Sequence, residues 1–464
     1  MRRRFLFFMG PPLLLAAGFA TGLVSIHAPF ISWERMVARL TDNAGHSTSA
    51  AHAAPPGRWR PVQAPDTAAR PADATLPGDD LEDSSTALDD ADFRRRLATL
   101  GYLAGHDAAP SQSGVIHHDP AAASPGLNLT ISGHAAEARL MDMDGRILHT
   151  WQREFHQVWP RRKKVVRAEG WRRVHLFPDG SLLAIYDGLG LVKLDSRSRV
   201  IWSYDGHVHH DLEIQPDGSI YTLTWKARRR PDLHPGEPIL DDQITILDSD
   251  GTWRRDISLL DALEKSPYAS LLAHRGADTD IFHTNTIEVL DGRFAHLDAA
   301  FKAGNIMVAI RYLDTIAIID PGLGEMVWAL SGVTRWPHQP TFLDNGHLLI
   351  FDNLGPETHS RVIEIDPITR AIIWNYAGSP ARPFFSESCG TAQRLANGNT
   401  LITESDRGRA FELDPTGRVV WEFLNPARAG EQGRLIATLY EVVRLPVDFP
   451  TDWASSAPPS SSVP

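Results

Sequence analysis

The chain has 464 residues, 42% hydrophobic and 22% charged, values of an ordinary globular protein long enough to bury a large core. Its formal net charge of −11 speaks against a nucleic-acid partner, because phosphate binding needs a concentrated basic surface. A single cysteine, Cys389, excludes an internal disulfide and a cysteine-built metal site.

The first residues, Met1 to Arg4, are basic, and no Asp, Glu, Lys or Arg follows from Phe5 to Trp33. The apolar run Phe5 to Ile26 is long enough to span a hydrocarbon core of ~30 Å as a helix. Residues 1–33 therefore read as an uncleaved anchor in a bacterial inner membrane, with the arginines cytoplasmic and the body of the protein periplasmic. The competing reading is a cleaved signal peptide, to which the small residues Ala16, Ala17 and Ala20 belong. Residues 34–125 read as a low-complexity linker, rich in Ala, Pro, Asp, Ser and Thr between Leu40 and Asp90. Apolar residues at helical spacing predict a short helix near 92–103. Residues 451–464, rich in Ser and Pro, are expected to form a disordered tail.

Between these lies a repeat. An apolar run ending in Asp, a turn and a second apolar strand recur around Asp142, Asp195, Asp248, Asp320, Asp366 and Asp414. The six aspartates lie 53, 53, 72, 46 and 48 residues apart, and the long third interval holds Leu259 to Asp280, which reads as an inserted helix and loop. A second element alternates with the first: VHLFPDGSLLAIYD, LEIQPDGSIYTLTW, IEVLDGRFAHLD, PTFLDNGHLLIFDN and AQRLANGNTLITES. Asp-Gly and Asn-Gly between alternating apolar runs mark hairpins. Two hairpins per ~50 residues make a four-stranded sheet, and six such sheets predict an all-β, six-bladed β-propeller over residues 126–450. Leu439 to Arg444 reads as the strand that closes the ring on the first blade. Trp151, Trp202, Trp328, Trp374 and Trp421 follow their aspartates by seven to nine residues and read as packing between blades.

The repeat also fixes the relative positions of a few polar residues. His210 precedes the turn glycine Gly218 by eight residues, His338 precedes Gly346 by eight, and His283 precedes Gly292 by nine. Counting eight back from Gly180 and Gly398 gives Arg172 and Gly390. Residues equivalent by repeat sit at equivalent height around the axis, so three imidazoles and Arg172 are expected at one mouth of the channel. Arg311 ends an apolar strand near the same rim; its bland reading is an ion pair with Asp314. A guanidinium beside imidazoles suits an oxyanion. His209 adjoins His210, and sequence barely separates the two.

HHDLEIQPDG, DIFHTNTIEVLDG, GNIMVAIRYLDTIAIID, PHQPTFLDNGHLLIFDN, RVIEIDPITRAIIW and GTAQRLANGNTLITES resemble, in order and spacing, the bacterial arylsulfotransferases that work without a nucleotide sulfate donor. The resemblance runs from about Gly126 to the closing strand and looks like a membrane-attached branch. It implies a six-bladed propeller that moves a sulfuryl group from a phenolic sulfate ester to a phenolic acceptor through a covalent sulfohistidine, with no cofactor. It implies His338 as nucleophile, supported by His210, His283 and Arg311. Arg172, His209, Asn285 and Asn353 complete the candidate site as substrate-binding residues. Trp336-Pro337 stand where related sequences often carry Gln, and the lone Cys389 leaves out a disulfide known in some members. Two other functions compete: a tethered propeller that binds a partner on its rim, for which Lys226 to Asp242 is the candidate loop, and a hydrolase with a metal held by the three histidines.

Overall fold

The computed structural model describes residues 107–162, 170–356 and 359–456. The anchor, the linker up to residue 106 and the helix expected at 92–103 lie outside these residues. Six four-stranded antiparallel sheets follow one another around a ring, which is the expected propeller. From the axis outward, blade two runs Trp171–Leu176, Leu182–Tyr186, Gly190–Leu194 and Val200–Tyr204. Blade three runs His209–Ile214, Ile220–Arg228, Ile239–Leu247 and Trp253–Ser258. Blade four holds Thr284–Val289, Ile306–Ile310, Thr315–Asp320 and Glu325–Ser331, and blade five Pro337–Phe342, Leu348–Asp352, Arg361–Ile365 and Ile372–Tyr376. Blade six holds Thr391–Arg394, Thr400–Glu404, Arg409–Leu413 and Val419–Leu424.

Blade one joins the first and last segments of the propeller ring. Leu439–Leu445 pairs with Leu127–Ser132 in the register Leu127↔Leu445 and becomes the innermost strand, ahead of Glu137–Met141 and Ile147–Gln152. This is the closing strand read from the sequence. Two boundaries differ from expectation. Gly114–His118, assigned to the linker, adds a fifth strand to the outer edge of blade six, against Val419–Leu424. The start of the expected tail is also ordered: Asp452–Ser456 forms a turn of 3₁₀ helix whose Trp453 lies 5.3 Å from the Trp151 ring. In both cases a few residues with pairing or packing partners outweigh a polar, Pro- and Ser-rich local composition.

The apolar runs ending in the repeated aspartate are the third strands, and the second strands of blades two, four, five and six are buried throughout. Ile306–Ile310 and Leu348–Asp352 are buried at every position, sandwiched between neighbouring sheets. Outer strands keep an exposed face, as Val200–Tyr204 and Ile372–Tyr376 do. The repeated aspartate has a local cause. Asp142, Asp195 and Asp414 each accept the backbone N–H groups two and four residues ahead, which folds the turn between the third and fourth strands. The expected hairpin in IEVLDGRFAHLD is different. Its second strand is Ile306–Ile310, and Gly292 to Gly304 form an excursion closed where Leu290 N–H donates to Asn305 O at 2.8 Å. Phe301 buries against Phe342 and Trp328 (5.1 and 5.5 Å between ring centroids) and anchors the excursion, while FAHLD before it forms turns instead of pairing as a strand.

The tryptophans do pack between blades. The Trp151 indole donates to Gly180 O of the next blade at 3.0 Å, Trp421 donates to Met143 O across the closure at 2.8 Å, and Trp374 lies beneath the Arg394 guanidinium of blade six. Trp253 of the third repeat comes earlier in its strand and is 52% exposed. Replacing fully buried Trp151 with Ala should therefore lower unfolding free energy by about 3–5 kcal/mol, whereas Trp253→Ala should stay within about 0.5 kcal/mol, as measured by denaturant unfolding.

Candidate active site

The six inner strands begin at the same mouth, and a short irregularity interrupts five of them, the strand of blade six being regular. In blade two Trp171 pairs with Tyr186 and Arg173 with Ile185, leaving Arg172 bulged. His210 and Asp211 bulge between the pairs His209↔Leu223 and Leu212↔Thr222; Asn285 bulges in blade four, and Gln339 and Pro340 in blade five. Bulges re-aim side chains at barrel and propeller rims. His210, His283, Trp336 and Gln339 also adopt left-handed backbone, with φ of 55°, 51°, 56° and 47°, a strained conformation for such residues that concentrates at functional sites.

His210, His283, His338, Arg311 and Arg172 gather at this mouth. The rings of His210 and His283 lie 4.9 Å apart, nearly perpendicular. The His210 imidazole also meets His209 at 2.8 Å, Nδ1 to Nδ1, so one of the two donates and the other accepts. His338 is fully buried. Its Nδ1–H donates to Trp336 O at 3.0 Å, and its Nε2 is left without a hydrogen-bond partner. Burial, with the positive charges of Arg311 and Arg172, holds the imidazole well below its ordinary pKa, so the ring is neutral at pH 7. Arg311 opens a 3₁₀ turn after Ile306–Ile310, its guanidinium 4.1 Å from the Trp336 ring and 5.5 Å from that of Tyr312. Asp314, the suggested ion-pair partner, instead accepts the Trp336 N–H at 2.8 Å.

His283 has a different backing. Its backbone N–H donates to Asp280 Oδ1 at 2.9 Å and its Nδ1 bonds Asp280 Oδ2. Burial lowers the His283 pKa and Asp280 opposes that shift; burial raises Asp280, but the charge and hydrogen bond of His283 outweigh it and keep the carboxyl ionised. Nearby Asp242, which accepts the Thr284 N–H at 2.8 Å, is pushed far up by burial and by the Asp280 charge. His209 is held down to about 4 by burial.

The opposite half of the ring is built from Arg172, Cys389 and Tyr440. The Arg172 guanidinium lies 5.4 Å from the Tyr440 ring, 3.9 Å from Cys389 Sγ and 3.8 Å from Asp187. Burial pushes the Cys389 thiol up to about 12, so it stays protonated. Gly390, at the repeat-equivalent position, has no room for a side chain: a Cβ there would fall 2.2 Å from the Phe351 ring. Beneath this layer Arg173 pairs with Asp211 at 2.8 Å and Glu441 at 2.7 Å, which floors the channel.

The arylsulfotransferase (ASST) family profile matches residues 173–426, more than half of the chain. The chain belongs to the arylsulfotransferase family. No curated protein matches it. Among solved structures, the chain is similar to a protein of unknown function from Bacteroides caccae at 14% identity, covering 69% of this chain and 98% of that one, with a TM-score of 0.45. It is similar to a streptogramin B lyase structure at 14% identity, covering 74% and 98%, with a TM-score of 0.40. The WD40 β-propeller domain of Doa1 aligns at 13% identity over 74% and 95%, also at 0.40.

Not every residue expected at the arylsulfotransferase site faces the channel group. The Asn285 amide donates to Pro337 O at 3.0 Å, and its Oδ1 accepts from Thr286, tying blade four to blade five behind His338. Asn353 donates to Ser386 O and Cys389 O, at 2.7 and 2.8 Å, and holds the loop that carries the cysteine. Each amide thus supports residues of the site. The arginines of the rim loop are spoken for as well: Arg228 pairs with Asp241 and Asp261, and Arg230 with Asp232 and Glu264. Among the described residues, no three His, Cys, Asp or Glu side chains are arranged to hold a metal ion. Sequence reasoning missed Asp280, Asp242 and Tyr440. Tyr440 is the second residue of its inner strand, as His210 and His338 are of theirs, but no turn glycine follows it to count back from.

One guanidinium does not neutralise two buried carboxylates, and burial pushes Asp211 and Glu441 up to about 7 from 3.8 and 4.5. Between those values the folded state binds more protons than the unfolded chain, so stability falls as pH rises from about 4 to about 7. Glu441→Gln should flatten that slope in unfolding curves recorded across the interval.

Proposed function

We propose that the protein transfers a sulfuryl group from a phenolic sulfate ester to a phenolic acceptor by way of a sulfohistidine on His338. One observation carries the reading: His338 is neutral, its Nδ1–H is committed to the Trp336 carbonyl, and its Nε2 is left with a free lone pair among two arginines and two imidazoles. In the first half-reaction Nε2 attacks sulfur, the sulfur–oxygen bond to the aryl group breaks, and the phenolate takes a proton from His283 Nε2. In the second, the acceptor phenol returns a proton to His283 as its oxygen attacks sulfur, and the nitrogen–sulfur bond breaks with its electrons returning to His338. Arg311 and Arg172 hold the sulfuryl oxygens and offset their negative charge from both sides of the ring. A sulfate monoester carries one negative charge and no proton, so positioned cations suffice to stabilise a loose transition state.

His283 is preferred over His210 as proton carrier because Asp280 fixes its Nδ1 and favours the protonated ring. His210, bonded to His209, buttresses His283. The basic start and charge-free run of residues 1–33 support an inner-membrane anchor with the propeller on the periplasmic side; fractionation of cells expressing the intact chain tests this.

Incubation with an aryl [³⁵S]sulfate and no acceptor should label His338 stoichiometrically, and His338→Ala should abolish both label and turnover without changing the fold; turnover retained by that variant would refute the assignment. Asp280→Asn should slow transfer by about 10²-fold for esters of weakly acidic phenols and by much less for nitrophenyl esters, whose phenolates leave without a proton. In wild-type protein, transfer from the sulfo-enzyme to acceptor should fall with decreasing pH through a midpoint below 6.5, where His283 becomes protonated and loses its capacity as base.

A further inference from the structure

Three of the groups assigned to sulfuryl transfer are bracketed by two aromatic side chains that no step of the chemistry uses. The Trp336 indole lies against the Arg311 guanidinium at 4.1 Å, two residues before His338. The Tyr312 ring follows Arg311 in sequence and lies 5.1 Å from the His283 ring at 45°. The two rings meet each other edge to face at 6.4 Å. His283, His338 and Arg311 are buried, whereas Tyr312 and Trp336 are each half-buried. A molecule entering beside Arg311 therefore meets these two ring surfaces before it reaches the imidazoles.

The insertion Leu259 to Asp280 explains why Tyr312 stands where it does. Its last turn closes with Gly276 N–H donating to Ile281 O at 3.1 Å, and a Cβ on Gly276 would fall 2.9 Å from Tyr312 Cδ2. The long third interval of the repeat thus supplies a wall against which the tyrosine ring is pressed. Trp336 is fixed independently through its backbone, whose N–H goes to Asp314 and whose carbonyl accepts from His338. Its side chain contributes to neither bond.

We infer that Trp336 and Tyr312, backed by the Leu259–Asp280 insertion, form the platform on which the aryl group of the sulfate ester lies, and that they set the size of ring system the site accepts. The inference rests on the sulfuryl-transfer reading above. A flat ring laid on an indole or phenol gains contact area in proportion to its own size, and the adjoining guanidinium holds the sulfuryl group at its edge. The class of donor selected is a planar fused-ring aryl sulfate over a single-ring or alkyl ester.

The test compares the aryl sulfates of phenol and naphthol on wild-type protein, Trp336→Phe, Trp336→Leu and Tyr312→Leu, all with backbone bonds intact. The platform predicts that each leucine variant raises KM about five- to tenfold for the naphthyl ester and about twofold for the phenyl ester, with kcat changed less than KM. Trp336→Phe should recover most of the loss, and it also serves as the folded control. Equal losses for both esters, or losses confined to kcat, would overturn the platform while leaving His338 labelling intact. Wild-type protein that transfers sulfuryl from neither ester would overturn the reading beneath it.

Discussion

An inner strand of a propeller has an edge that faces no other strand, and the structure depends on how those edges are satisfied. The strands splay around the axis, so ladder hydrogen bonds between blades are ruled out, and unpaired backbone donors near the axis are costly. Side chains from each neighbouring blade take their place. Asp211 of blade three accepts the Ile287 N–H of blade four, and Thr286 of blade four accepts the Gln339 N–H of blade five. Gln339 in turn accepts from Ala392 of blade six, and Gln393 accepts from Arg444 of the closing strand. The ring is laced by polar residues that must point sideways, which is why the axial region is polar even where it is buried.

That lacing also builds the site. A residue that reaches sideways to a neighbour takes a strand out of regular alternation, and the bulge that results turns the adjacent side chain toward the axis. Asp211 binds blade four while His210 before it enters the channel; Asn285 binds the Pro337 carbonyl while His283 lies two positions earlier. The left-handed backbone is held by side-chain acceptors: His210 N–H donates to Asp187 of blade two, Gln339 N–H to Thr286 of blade four, and His283 N–H to Asp280 just before it. Structural and channel-facing residues are therefore neighbours in sequence, as Asn285 is of His283.

This pattern sets what was legible in the sequence. The strands, the turns and the ring closure follow from apolar runs and Asp-Gly or Asn-Gly steps, which act locally. So does the slot that holds His210, His338 and Arg172, because a fixed count from a turn glycine survives folding unchanged. Tyr440 fills the same slot without that marker, and Cys389 reaches the site only because the slot itself is a glycine pressed against Phe351. Asp280 belongs to an insertion with no counterpart in other blades, so no internal comparison reveals it. The excursion between Gly292 and Gly304 mimicked a hairpin because Asp291-Gly292 make a turn either way; only the burial of Phe301 decides that no strand follows.

Equivalent positions do not make equivalent groups, and chemistry follows from that asymmetry. His283 and His338 occupy matching slots, are both fully enclosed, and both are less basic than a free imidazole. What differs is the atom behind Nδ1. A carbonyl behind His338 takes a hydrogen bond without stabilising positive charge as a carboxylate does, and the arginines penalise that charge further, so the ring is held neutral. A carboxylate behind His283 offsets part of the burial, so its basicity falls less far than that of His338. A repeat that places identical side chains at one height thus yields two rings of different basicity through the single acceptor each one meets on its far side.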